Sequence, residues 1–330
     1  MKTIIPLDDY NHRIHPGADF VGSVLPTWGN HAFANGWKLI ELYMAKHYRI
    51  RKLTPKECLR LMGVRDEDIQ KMKDAGISDC QLYKMAGNSI VVPVLEVIFQ
   101  NMEFTEKPLS VFEAFAGYGS QSMALRNIGV DHEVVGISEI DKYAICAYNA
   151  THPETKNYGD ICKIDWKDVP DFDLFTYSFP CTDISNAGVQ AGFEEGSGTR
   201  SSLLWECRNA IVAKHPKYLL MENVKAITSK KFLPGLKKWQ EFLSAEGYTN
   251  FIKILNAKDY GIPQNRERCF IVSILGDAWY DFPQPRPLEL KLKDLLEEKV
   301  DEKYYIDQER VNNFIAGLSD EKRAALEREE

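Results

Sequence analysis

Apolar and polar positions change rhythm once along this 330-residue chain, at about Leu109. Beyond that point short apolar runs alternate with segments of helical period. Ser110–Phe115 reads as a strand, Ala116-Gly117-Tyr118-Gly119-Ser120 as a glycine turn, and Gln121–Ile128 as a helix. Glu133–Ser138 is the next strand and Lys142–Ala150 the next helix, and later strands fall at Leu174–Ser178, Tyr218–Met221, Phe251–Leu255 and Cys269–Leu275. Such βαβα order predicts an α/β fold, a mostly parallel sheet with helices on both faces. The last two strands are joined by a short connection holding Gly261-Ile262-Pro263, which leaves room for one antiparallel strand.

Before Leu109 the pattern is different. Residues 1–36 are rich in Gly, Pro, His and Asn and read as short strands and loops, and Trp37–Tyr48 fits a strand or a helix. Leu53–Gly63 is a signalled helix, with Thr54 as N-cap, Pro55 at its first position and Gly63 closing it. Asp66–Asp74 is a second helix, and Gly87-Asn88-Ser89 precedes an apolar helical segment, Ile90–Met102. From Pro283 the chain runs into a charged, helical tail.

Composition narrows the class. The hydrophobic share of 44% is ample for a large core and a smaller lobe. No run of 18 apolar residues predicts a membrane span, and Met1–Tyr10 lacks a signal pattern. Seven scattered cysteines without a Cys-x-x-Cys pair argue for a reducing, cytoplasmic setting and against a disulfide framework or a metal site. The net charge of −7 hides a local excess of base: Lys46, Arg49, Arg51, Lys52, Lys56 and Arg60 stand against Glu57 alone. A solvated face and a phosphate-binding surface explain that cluster equally well.

Candidate chemistry gathers at strand ends. Pro180-Cys181 follows the apolar run ending at Ser178 and opens a polar, glycine-rich stretch, Asp183–Ser202. A lone Cys is usually a core residue, but the C-terminal edge of an open α/β sheet is where ligands bind. Gly117 and Gly119 sit between strand and helix, where backbone amides approach a bound group closely. Glu139 follows at about the spacing of a ribose-binding acid, and Asp160 precedes the Cys181 strand. A third glycine is missing, so a nucleoside cofactor smaller than NAD is favoured. Glu222-Asn223-Val224 ends another strand, where it serves either as a helix cap or as an acid facing Cys181. Alternation places Gln264, Arg266 and Arg268 on one face, suited to a salt-bridge ladder or to anion binding.

Taken together, Phe115-Ala116-Gly117-x-Gly119, Pro180-Cys181, Glu222-Asn223-Val224 and Gln264-x-Arg266-x-Arg268 resemble the DNA cytosine-5 methyltransferase family, in that family's order. Glu139-Ile140-Asp141, Gly159-Asp160-Ile161 and Arg200-Ser201-Ser202-Leu203 agree, and the resemblance runs from about Lys46 to Tyr305. It implies a Rossmann-like S-adenosylmethionine-dependent fold plus a small target-recognition lobe. It also implies Cys181 as nucleophile, Glu222 as the group that holds and protonates the base, Arg268 as its buttress and Arg266 as a phosphate contact. The cofactor would meet Phe115, Ala116, Gly117, Gly119, Glu139, Ile140, Asp160, Ile161, Pro180, Leu203, Asn88 and Ser89. A nearby positive charge is expected to lower the Cys181 pKa. Asp183–Ser202, with Gly188, is expected to close over an extruded base.

The order departs from the family in one respect. Arg51–Gly63 resembles its ninth motif and Gly87–Val94 its tenth, and here both precede the glycine turn. The chain therefore looks circularly permuted. Residues 1–47 would form part of the recognition lobe, 48–107 the displaced motifs, 108–278 the catalytic domain and 279–330 a return to the lobe. Glu113 stands where the family has Asp, and Thr182 replaces a Gln. The expected partner is double-stranded DNA, with a bacterial or phage source and a companion restriction endonuclease or recognition chain as further expectations. An RNA substrate and a non-catalytic DNA-binding subunit are the rivals. Intact Cys181, Glu222, Arg266 and Arg268 weigh against the second.

Overall fold

The computed structural model describes residues 49–185 and 190–320, together with the strand backbones Thr3–Asp8 (β1), Arg13–Ile14 (β2), Val21–Gly22 (β3), Trp37–Tyr43 (β4) and the start of His47–Lys52 (β5). Apart from these strand backbones, residues 1–47, expected to form part of the recognition lobe, lie outside the described residues, as do Gly188 and the last ten residues of the charged tail.

Six strands form the main sheet: Leu109–Ala114 (β6), His132–Ser138 (β7), Leu174–Tyr177 (β8), Tyr218–Val224 (β9), Tyr248–Asn256 (β10) and Glu267–Leu275 (β12). Their order is β10-β12-β9-β8-β6-β7. All neighbours are parallel except at β12, which runs antiparallel to both β9 and β10. Gln264–Asn265 (β11) pairs with β3 instead. Alternation along the buried strands divides two cores. Val111, Leu174, Leu220 and Val272 face one side; Phe112, Phe175, Leu219 and Ile271 face the other. The first side is covered by Pro55–Arg60 (α1), Asp66–Asp74 (α2), Asp79–Asn88 (α3), Val92–Gln100 (α4), Ser120–Asn127 (α5) and Lys142–Thr151 (α6). Cys207–Lys214 (α7) and Leu233–Ala245 (α8) cover the second.

The chain leaves β6 for β7 on one side and returns to β8 on the other. That reversal opens a crevice at the carboxyl ends of β6 and β8, the place where open α/β sheets take ligands. The glycine turn and Cys181 both lie there.

Local signals explain α1 well. Thr54 Oγ1 accepts from Glu57 N while the Glu57 carboxylate accepts from Thr54 N at 2.8 Å, a reciprocal cap. The helix α3 was not apparent from the sequence, where Gly87-Asn88-Ser89 only precedes an apolar helical segment; Leu82, Met85 and Ala86 give it a buried face. Residues 79–100 are apolar enough to pass as a membrane span on composition. They fold instead as two short helices broken at Ser89–Val91, with Leu95 and Ile98 fully buried in the core.

Four residues of the basic cluster, Arg49, Arg51, Lys56 and Arg60, are paired with acids. Arg51 is buried against Glu57 at 2.8 Å, Lys56 and Arg60 share Asp66, and Arg49 pairs with Glu302 while its guanidinium lies 3.7 Å from the Tyr305 ring centre. The sequence showed the charges and Glu57, but not the pairing with Asp66 or with distant Glu302. Ile306 N donates to Ile50 O at 2.7 Å, so the C-terminal strap, followed by Gln308–Ala316 (α9), lies along β5. Strand β5 pairs in turn with β4, and β4 with β1.

Candidate functional site

The strand β8 ends at Tyr177, and Phe179-Pro180-Cys181 carries the chain over the crevice. Two residues, Asn223 and Ser201, fix its course. Asn223 Nδ2, at the end of β9, donates to Phe179 O at 3.0 Å. Ser201 Oγ donates to Pro180 O at 2.6 Å, and Ser201 N donates to Asp183 Oδ2 at 3.1 Å. Sequence reading passed over Asn223 and Ser201 as individual residues. Both fall inside motifs that were noticed, and being fully or nearly buried polar groups they needed partners.

Glu222 stands beside Cys181 on β9. Its Oε1 lies 3.3 Å from Arg268 Nε, with both side chains largely buried. Burial raises the Glu222 carboxyl above the ordinary range, and Arg268 and Arg266 only partly offset this. Cys181 departs from expectation. Burial raises its thiol pKa, Glu222 adds to the rise, and the two arginines do not overcome them. Desolvation of the thiolate outweighs the nearby positive charge.

Arg266 is also placed differently from what the resemblance implies. It is 3% exposed and donates through Nη2 to Gly87 O and Ser89 O. A guanidinium committed to interior carbonyls is not presented to a phosphate. Gln264 is likewise internal, its Nε2 donating to Leu61 O at 2.7 Å.

The glycine turn forms the other wall. Gly117 has φ +58 and open space where a Cβ would point. Its N–H donates to Glu139 Oε2 at 2.9 Å, while Glu139 Oε1 accepts from Ile140 and Asp141 N–H groups. Ile140 is 72% exposed, an apolar side chain offered at the strand end. Phe115, with φ +56, packs at the edge of the second core. Asp160 caps a short turn through Cys162 N. Ile161 and Ala116 are buried, so only their backbones can face a ligand. Asn88 and Ser89 end α3, and Ser89 Oγ meets Ser120 Oγ at 2.7 Å beside the turn. Leu203 lies partly buried against the second core. An open glycine, a carboxylate fixed on the turn and an exposed apolar side chain together fit a nucleoside with a short charged tail.

Beneath the turn, Glu113 is fully buried and accepts from Ser122 Oγ at 2.7 Å, and burial pushes its pKa up to about 7. Gly119 closes the turn at φ +86. A Cβ there would sit 2.8 Å from His152 Cε1 and 2.9 Å from Tyr148 Cε2. Gly119→Ala is therefore expected to cost about 1–3 kcal/mol of stability, read as a lower denaturant midpoint, and to weaken S-adenosylhomocysteine binding in titration calorimetry.

The stretch after Cys181 is less free than its composition suggests. Phe193 is buried near Phe179 and Phe232, and Trp205 Nε1 donates to Phe193 O at 2.8 Å. Gly188 lies outside the described residues.

A cysteine close to a buried carboxylate at the switch point of a doubly wound sheet, next to an open glycine turn, fits the class of group-transfer enzymes. The chain belongs to the C-5 cytosine-specific DNA methylase family, whose model matches residues 18–103 and 109–324. It is 43% identical over 259 residues to the type II methyltransferase M2.ScrFI of Lactococcus lactis subsp. cremoris, covering 62% of this chain and 72% of that one. It is 38% identical over 244 residues to the orphan methyltransferase M.SPRI of Bacillus phage SPR, covering 64% and 55%. The chain thus spans between about half and three quarters of these relatives' lengths. The Dnmt2 methyltransferase of S. pombe superposes with a TM-score of 0.51 at 24% identity over 62% of this chain and 66% of that one, a likeness of fold.

Proposed function

We propose that this chain methylates C5 of a cytosine extruded from duplex DNA, through a temporary bond between Cys181 Sγ and C6 of the base. The observation that carries this reading is that Cys181, just past β8, lies close enough to Glu222 on neighbouring β9 for the carboxylate to raise its thiol pKa, with Arg268 on the carboxylate. Cytosine C5 is a poor nucleophile. Attack of the Cys181 thiolate on C6, with a proton passing from the Glu222 carboxyl to N3, converts the ring into an enamine whose C5 is electron-rich. The raised Glu222 pKa makes it easier for this carboxyl to take up the proton that it passes to N3. Arg268 orients the carboxylate left behind. Once C5 carries the methyl group, its proton is lost to water, the Cys181 thiolate is expelled, N3 returns its proton to Glu222, and the enzyme is restored.

S-adenosylmethionine, the cofactor of this family, supplies an electrophilic methyl group from its sulfonium. Glu139, Ile140, Phe115 and Asp160 would hold its adenosine, and Gly117, Gly119, Asn88 and Ser89 its amino-acid tail. The target carbon is hidden in a duplex, so the base must leave the stack.

We also read the chain as circularly permuted. The motif-like stretches Arg51–Gly63 and Gly87–Val94 precede the glycine turn, the family model matches in two segments, and the strap after Tyr305 lies on β5. Relatives from a bacterium and a phage support an origin of that kind and action in the cytoplasm.

Transfer of labelled methyl from S-adenosylmethionine to unmethylated duplex DNA, with base-resolution sequencing, tests the function. Label at cytosine C5 in one short sequence is expected. Cofactor binding with no transfer to duplex DNA would overturn the proposed substrate.

A further inference from the structure

Arg266 reaches both halves of the site. Through Nη2 it donates 2.8 and 2.7 Å hydrogen bonds to Gly87 O and Ser89 O, where α3 ends. The last carbonyls of a helix carry partial negative charge, so a guanidinium there caps them with a full positive charge. Ser89 in turn touches Ser120, the first residue of α5 beside the glycine turn. In the other direction, the charge of Arg266 acts on Cys181 and Glu222 and favours the ionised form of each.

We propose that Arg266 is a positioning residue that locks the cofactor-tail segment at the end of α3 to the Cys181–Glu222 pair. The proposal rests on the methyltransferase reading above. Its two roles need different properties of the side chain. Both carbonyls are held by Nη2 at the far end of the side chain, a position that a lysine ammonium, on its shorter stem, stops short of, whereas the field at Cys181 needs only a charge. Lysine keeps the second and loses the first; glutamine loses the charge.

The test separates these roles without measuring turnover. S-adenosylhomocysteine binding is followed by calorimetry, and the pH dependence of Cys181 alkylation by iodoacetamide is mapped to its own peptide, because exposed Cys80 and Cys162 also react. Arg266→Lys is expected to bind S-adenosylhomocysteine about tenfold more weakly and to keep the wild-type alkylation profile. Arg266→Gln is expected to bind weakly and to need higher pH for alkylation, since Glu222 and Arg268 would then be the charges left facing the thiol. Binding by Arg266→Lys within about twofold of wild type overturns the proposal, and so does an unshifted thiol profile in folded Arg266→Gln. If the glutamine variant does not fold, the lysine variant decides alone: weak binding with an unshifted profile supports the proposal, and any other result overturns it. Wild-type protein that binds no S-adenosylhomocysteine overturns the methyltransferase reading itself.

Discussion

Cys181→Ser is expected to reduce methyl transfer by on the order of 10⁴-fold or more, as loss of a covalent nucleophile does elsewhere, while S-adenosylhomocysteine still binds. A serine hydroxyl at this position is far harder to ionise than a thiol, and burial makes ionisation harder still. The check is a pair of measurements: labelled-methyl transfer, and trapping of a covalent complex on DNA carrying 5-fluorocytosine, which lacks the C5 proton whose loss releases the enzyme. Both should vanish together. Transfer that survives the substitution would remove Cys181 from the chemistry.

The same pair of groups fixes the pH dependence. Reaction requires a thiolate on Cys181 and a proton on Glu222. At intermediate pH the pair holds a single proton, which the thiol, ordinarily the weaker acid of the two, can keep. That form contains as many protons as the reactive one, and moving the proton across converts one to the other. Below the Glu222 pKa there is one proton too many, and above the Cys181 pKa one too few. The plot of kcat/KM against pH should therefore be a bell between the two. Because burial raises both, the acid limb should lie above the ordinary carboxylate range, and the alkaline limb should be displaced upward too. Replacing Arg268 by methionine removes a charge that lowers both, so both limbs should move to still higher pH. Limbs that stay in place would show that Arg268 does not set the charge balance of the pair.

How legible this site was depended on distance along the chain. Thr54, Pro55 and Glu57 announce α1 because a helix cap is written within four residues, and Asp66–Asp74 matched its helix end to end. The alternating strands from Leu109 gave the parallel sheet, and the short Gly261-Ile262-Pro263 link allowed for an antiparallel strand, which proved to be β12. Contacts between remote segments were not legible. Alternation put Gln264, Arg266 and Arg268 on one face, but it gave no sign that Arg266 would meet carbonyls at Gly87 and Ser89 or that Gln264 would meet Leu61. The environment of Cys181 was misjudged for a related reason. Two arginines nearby are visible in a motif, whereas the depth of burial that outweighs them is a property of the packed fold.

The largest stability effect should come from the other such remote cluster, around Glu57. Its carboxylate is fully buried and takes donors from three parts of the chain: Arg51 Nη1 and Nη2 at 2.8 and 3.0 Å, Thr54 N at 2.8 Å, and Glu297 N at 2.9 Å. One group thus joins β5, the start of α1 and the C-terminal strap, the last helped by Arg60 Nη1 on Leu295 O. Glu57→Ala would leave the Arg51 guanidinium charged and buried opposite a cavity, with two backbone N–H groups deprived of their acceptor. Breaking a buried pair on one side costs about 3–5 kcal/mol, so the denaturant midpoint should fall sharply. Removing both charges with apolar residues of similar volume, Arg51→Met with Glu57→Leu, should cost clearly less than Glu57→Ala, because no charge is then stranded. It should not be free, since Thr54 N and Glu297 N still lose their acceptor. Limited proteolysis distinguishes a local from a global effect: the strap near Glu297 should be cut first in Glu57→Ala. A single variant no less stable than wild type would show that the cluster does not hold the strap to α1.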